Sequence, residues 1–146
     1  ACRAGSGHRC QGRHAAPNTT SHISTKSIAR DGGVSNFRSS VVVLPNAKGS
    51  KSSVSCESLM LDDRSRSDTI PAMDIRCDAV DVGHEAKIGR ISEEAIFYLM
   101  SRGMTEEDAR ALIVGGFAEP IAKELPLEYA VEMNNLIHLE MKGSIG

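Results

Sequence analysis

Between residues 52 and 61 two sets of side chains alternate. Val54, Cys56, Ser58 and Met60 take one set of positions and Ser55, Glu57, Leu59 and Leu61 the other, which is the two-residue period of a strand. Residues 39–44 and 73–82 form further β-prone runs. Asp31-Gly32-Gly33 and Asn46-Ala47-Lys48-Gly49 supply turns, because Gly, Asn and Asp tolerate positive φ. Short strands, frequent turns and few aromatic residues fit a parallel β-helix or a sandwich, and no exact repeat separates the two.

The period changes after residue 91. Ser92 is expected to cap a helix whose first turn carries Glu93 and Glu94, acids that suit the positive end of the helix dipole, with Gly103 at its end. Thr105-Glu106-Glu107-Asp108 resembles a capping box, with Asp in the place of Glu or Gln. In the helix it opens, Ala109, Leu112, Ile113, Gly116 and Phe117 form one apolar face. Pro120 and Pro126 punctuate the chain, and Pro126 suits a first turn. A third helix aligns Leu127, Ala130, Met133, Ile137 and Met141 before Gly143. The expected architecture is mainly β plus α, with three helices after a β region.

With 146 residues the chain suits one domain, or a small core with an appendage. It opens on Ala with no charged start and apolar run, so neither an export signal nor an intact natural N-terminus is expected. No run reaches the roughly 20 apolar residues of a membrane span, which makes a soluble intracellular chain the expectation. Cys2, Cys10, Cys56 and Cys77 are too scattered for a disulfide framework, and there is no CxxC pair. Residues 1–51 hold eight Lys or Arg against one acid, Asp31, whereas residues 86–146 hold six against ten. Phe37 is the one aromatic residue in that basic part, so a solvated surface or unpaired β edge is expected there rather than a nucleic-acid site.

The candidate chemistry lies in Cys56, His84 and Glu85: a thiol, an imidazole and a carboxylate from two segments, the mixed donor set of a metal-cluster site. Each has a plainer alternative. A lone Cys is commonly a small buried hydrophobe, as expected for Cys77, and a lone His is more often structural. Cys2, His8, Cys10 and His14 lack the spacing of a familiar zinc finger. A cysteine hydrolase with Cys56 as nucleophile, His84 as base and Glu85 as orienter competes, but neighbours on an extended strand point to opposite faces and form such a relay poorly.

The runs His14-Ala15-Ala16-Pro17-Asn18-Thr19, Lys48-Gly49-Ser50-Lys51-Ser52-Ser53-Val54, Gly83-His84-Glu85-Ala86 and Glu124-Leu125-Pro126-Leu127-Glu128-Tyr129-Ala130 resemble the C-terminal part of the SufB branch of the SufB/SufD family, iron-sulfur cluster assembly scaffolds. The resemblance runs from about residue 14 to the end and leaves 1–13 unmatched. It implies the terminal turns of a right-handed parallel β-helix over 14–91 and a C-terminal three-helix domain over 92–146. It implies a non-enzymatic scaffold that holds a transient iron-sulfur cluster through Cys56, His84 and Glu85 at a SufB/SufD interface and docks the SufC ATPase through its helices. Further implied partners are SufD and the sulfur-transfer protein of the cysteine desulfurase, with reduced flavin as a cofactor of the complex; neither nucleic acid nor membrane is implied. The implied compartment is the cytoplasm, or the plastid stroma in a eukaryote. SufD lacks a cysteine followed by His-Glu, which favours the SufB branch. An adaptor that binds the ATPase without a cluster is the remaining alternative. Gly83 stands where some members carry Glu and is given no ligand role. Lys87 stands for a frequent Thr and Phe37 for a frequent Tyr, and neither is expected to touch the three candidate ligands.

Overall fold

The computed structural model describes residues 5–141, with side chains from His8 onward. Cys2 and the helix stop expected at Gly143 lie outside the described residues. One compact unit ends at Arg90 and a second begins at Ile91.

The first unit has six strands: β1 (Gly5–His14), β2 (Thr20–Ala29), β3 (Val34–Val43), β4 (Lys51–Met60), β5 (Arg66–Ile75) and β6 (Asp81–Arg90). Alternate strands enter alternate sheets, ordered β1-β3-β5 and β2-β4-β6. Every pairing is parallel, so the antiparallel pairing of a sandwich does not occur among the described strands. Cys56 falls in β4 as its alternation predicts. The run expected over 73–82 instead straddles the end of β5, a turn and the start of β6.

The sequence pattern missed β1 and β2 entirely, and most of β5 and β6. The first two are the clearest case. They are built from Gly, Ser, Thr and His and carry few apolar residues. What holds β2 is a set of hydroxyl contacts repeated 31 residues apart: Thr19 with Ser50, Ser21 with Ser52 and Ser27 with Ser58. Cross-strand hydroxyl pairs stabilise a sheet without apolar bulk. At one corner His14, only 3% exposed, places Nδ1 2.7 Å from Thr19 Oγ1 and Nε2 2.8 Å from Ser21 Oγ. Both ring nitrogens are thus satisfied by hydroxyls, as a buried imidazole requires. The apolar core lies beside this network, in Phe37, Val41, Val43, Ala47, Val54 and Cys56, with Cys10, Ile23, Cys77, Val80 and Val82 packed against it. Phe37 sits in apolar surroundings, where a tyrosine hydroxyl would need a partner.

The turns follow their chemistry. Asn18 and Asp31 adopt positive φ, as do Gly32 and Gly49. Gly49 holds φ +73°, a conformation that strains any residue with a Cβ, and a Cβ there would also push aside the Asn18 side chain. In the β4–β5 turn Asp62 accepts from the backbone N–H groups of Arg64 and Ser65, from Ser65 Oγ, and from Gly32 N–H at 3.5 Å.

The second unit contains α1 (Glu93–Ser101), α2 (Glu106–Ala122) and α3 (Leu127–Met141), with α2 packed against both of the others. Ser92 Oγ accepts from Ala95 N–H and Thr105 Oγ1 from Asp108 N–H, so both expected caps form. Gly103 closes α1 at positive φ. The face of α2 is rotated from expectation: Ala109, Ala111, Val114, Ala118 and Ala122 are buried while Leu112 is exposed. Four of the five buried residues are alanines, whose small side chains carry little weight in a hydrophobic periodicity. Pro120 lies inside α2 rather than beyond it, in the last turn. Pro126 precedes α3, its carbonyl accepting from Ala130 N–H. Along α3, Ala130, Met133, Ile137 and Met141 are half-buried, and Leu127 is 75% exposed. No helix of the described residues is long and apolar enough to cross a membrane.

Candidate functional site

Strand alternation assigns each side chain of β4 and β6 to a face. Ser52, Val54, Cys56 and Ser58 are the buried positions of β4. The register pairs Val54 with His84, Ser55 with Glu85 and Cys56 with Ala86. His84 therefore shares the interior face with Cys56, and Glu85 takes the outer one.

The contacts agree with that assignment. Cys56 Sγ lies 3.6 Å from His84 Nε2 across the two strands, within hydrogen-bond reach for sulfur. Cys56 is 3% exposed, and burial pushes its thiol up from the ordinary value. The group at rest is thus the protonated thiol, and any metal must displace that proton to bind.

Glu85 is not brought together with the other two. It lies exposed on the outer face, where Lys87 Nζ is 3.1 Å from its Oε1. This corrects the expectation that Lys87 touches none of the three: its ammonium is the partner of Glu85, which raises the Lys87 pKa. Two residues apart on one strand, both point outward, and the alternation alone could have revealed it. Beside them Lys26 donates to Glu57 at 2.6 Å and holds that carboxyl below its usual range. Lys26, Glu57 and Lys87 occupy one register row, so the outer face carries a charge ladder of alternating sign.

The pair sits beside an edge. β6 is one of the two edge strands of its sheet among the described strands, opposite β2, and β5 is likewise an edge of the other, opposite β1. On β6 the interior row continues through Ile88, which is 52% exposed, and on β5 Met73 and Ile75 are likewise exposed. Gly83 is on the outer face, and a Cβ added there would meet nothing within 4 Å. Among the described residues no three His, Cys, Asp or Glu side chains converge as a metal site would need. His14 spends both ring nitrogens on hydroxyls and is a structural histidine.

Related sequences occur among known iron-sulfur cluster assembly proteins. Residues 6–117 match the family described as SUF system FeS cluster assembly, SufBD core domain, and the chain belongs to that family. Its relatives include proteins named iron-sulfur cluster assembly SufBD family protein: one from Mycobacterium bovis is 56% identical over 133 residues, and one from Staphylococcus saprophyticus is 54% identical over 133 residues. Both alignments cover 91% of this chain, but only 16% of the mycobacterial and 29% of the staphylococcal protein. The chain thus spans less than a third of the relatives it matches.

Proposed function

We propose that this chain is the cargo-holding end of a SufB-branch scaffold, on which an iron-sulfur cluster is built and from which it is passed on. The observation that carries the reading is the separation of 3.6 Å between Cys56 Sγ and His84 Nε2. Thiolate and imidazole ligands bonded at about 2.3 and about 2.0 Å to one tetrahedral metal stand roughly 3.5 Å apart, so the pair is already spaced to share an iron. One thiolate with one imidazole is a weak hold compared with four thiolates, which suits cargo that must leave.

The remaining ligands come from a second chain docked along β6. Exposed Ile88, Met73 and Ile75 at the ends of both sheets support such docking, because an unpaired edge with apolar neighbours invites another strand. The partner is the related SufD chain, and Glu85, on the opposite face of β6 from His84, joins the ligand set only through a rearrangement on docking that turns this edge of β6 as well as parting Glu85 from Lys87. Alternate parallel strands in two sheets, tied by contacts 31 residues apart, support reading the first unit as the last turns of a right-handed parallel β-helix. In the second unit, Phe97, Tyr98, Leu127, Tyr129 and Leu139 are large exposed apolar side chains, and they support docking of the SufC ATPase there. The setting is the cytoplasm or the plastid stroma, and the sulfur arrives from the transfer protein of a cysteine desulfurase. A hydrolase reading finds no support, since Glu85 faces away from His84 and the thiol is buried and protonated.

The test is anaerobic purification with SufC and SufD, followed by iron and sulfide analysis. Cys56→Ser and His84→Ala are each expected to lose most of the bound iron and sulfide. A Cys56→Ser complex that holds as much of both as the wild type overturns the reading.

A further inference from the structure

We propose that the outer face of the β1-β3-β5 sheet binds a small phosphate-bearing molecule between Arg9 and Arg38. The two arginines are directly opposed in the β1–β3 register. Both are exposed, and neither side chain forms an ion pair or hydrogen bond with another described residue. Like charges set directly opposite each other destabilise a sheet unless something neutralises them. Elsewhere on this unit several cations are paired: Lys26 with Glu57, Lys87 with Glu85 and Arg90 with Asp63.

The opposed pair borders a half-open depression of about 370 Å³ on the sheet surface, which Gln11, Ser40, Ile70 and Ala72 also line. That volume lies at the small end of ligand sites, roughly 300–1,000 Å³. Chemistry varies along its floor. Arg9, Arg38 and Ile70 form one register row and Gln11, Ser40 and Ala72 another, so two guanidinium groups stand next to an amide and a hydroxyl, with apolar carbon on β5. Neither row contains an acid. Asp68 lies opposite Asn36, one row away, and Asp74 is held by Arg76. Planar guanidinium forks match the tetrahedral oxygens of a phosphate bidentately, and the amide and hydroxyl can donate to a further oxygen. The apolar floor accommodates a compact organic group, which makes a phosphate monoester a better fit than the bare ion. This site is on the other sheet from Cys56 and His84, and its existence does not depend on their role.

The experiment is a calorimetric titration of the full chain with inorganic phosphate and with phenyl phosphate, at ionic strength fixed by sodium chloride. Saturable binding is expected, tighter for phenyl phosphate, and Arg9→Gln and Arg38→Gln are each expected to weaken it roughly ten-fold or more. Lys48→Gln, in a turn outside the depression, leaves it unchanged. Thermal unfolding guards against misfolded variants: without phosphate Arg38→Gln melts no lower than wild type, and with phosphate only the wild type gains. Phosphate that acts no better than chloride, or Arg9→Gln and Arg38→Gln chains that bind like the wild type, overturns the proposal. So does an oligonucleotide that binds more tightly than phenyl phosphate.

Discussion

Lys87 grips Glu85 on the face of β6 turned away from Cys56, so the His-Glu pair that is adjacent in sequence is split by the strand into one interior and one exterior group. Removing Lys87 is therefore expected to alter Glu85 and not the thiol-imidazole pair. In Lys87→Thr, the midpoint of thermal unfolding should stay within error, as for most exposed ion pairs. Iron retained after purification with SufC and SufD should rise or hold, and a fall to the Cys56→Ser level would mean that Lys87 supports the site directly.

Burial of Cys56 makes a prediction about its reactivity. Peptide-mapped alkylation by iodoacetamide at pH 7.5 should be at least roughly ten-fold slower at Cys56 than at a free model thiol, because both access and thiolate fraction are low. The rate should climb with pH beyond the usual thiol range rather than level off near it. Rapid labelling at neutral pH would refute this.

Acid should loosen the β4–β5 turn. Desolvation pushes the Asp62 carboxyl up, but the hydrogen bonds from Ser65, Arg64 and Gly32 outweigh it and bring its pKa down to about 2. A folded value below the unfolded one means stability that is present above about pH 4 and lost as pH falls toward about 2. Discounted for solvent, the contribution is about 1 kcal/mol. Urea unfolding of Asp62→Ala against wild type at pH 7 and pH 2.5 should show that difference at the first pH and little at the second.

His14 is expected to be costly to lose. His14→Ala leaves a cavity and deprives Thr19 and Ser21 of a partner, for a loss of about 2–4 kcal/mol in chemical denaturation. Iron held at the proposed Cys56–His84 site should fall only through folding, so a variant rescued by lower temperature should regain full iron content.

How far the sequence could be read depended on what stabilises each element. β4 was legible because Val54 and Cys56 alternate with polar residues, and both N-caps because Ser92 and Thr105 stand where helices must begin. β1 and β2 were not, since hydroxyl pairs tie β2 to residues far along the chain and leave no local trace. The buried face of α2 was misplaced because alanine weighs little in a hydrophobic pattern. At the site, residue types named Cys56 and His84, but only the register shows that they meet and that Glu85 is turned outward.

That register has an evolutionary and practical corollary. Because neighbouring positions on β4 belong to opposite surfaces, excising a single amino acid between Ser53 and Cys56 would swing the sulfur out into water and bury Glu57 in its stead. A substitution along this strand changes one side chain on one face, whereas a frame slip would part the sulfur from His84 while leaving the composition almost untouched.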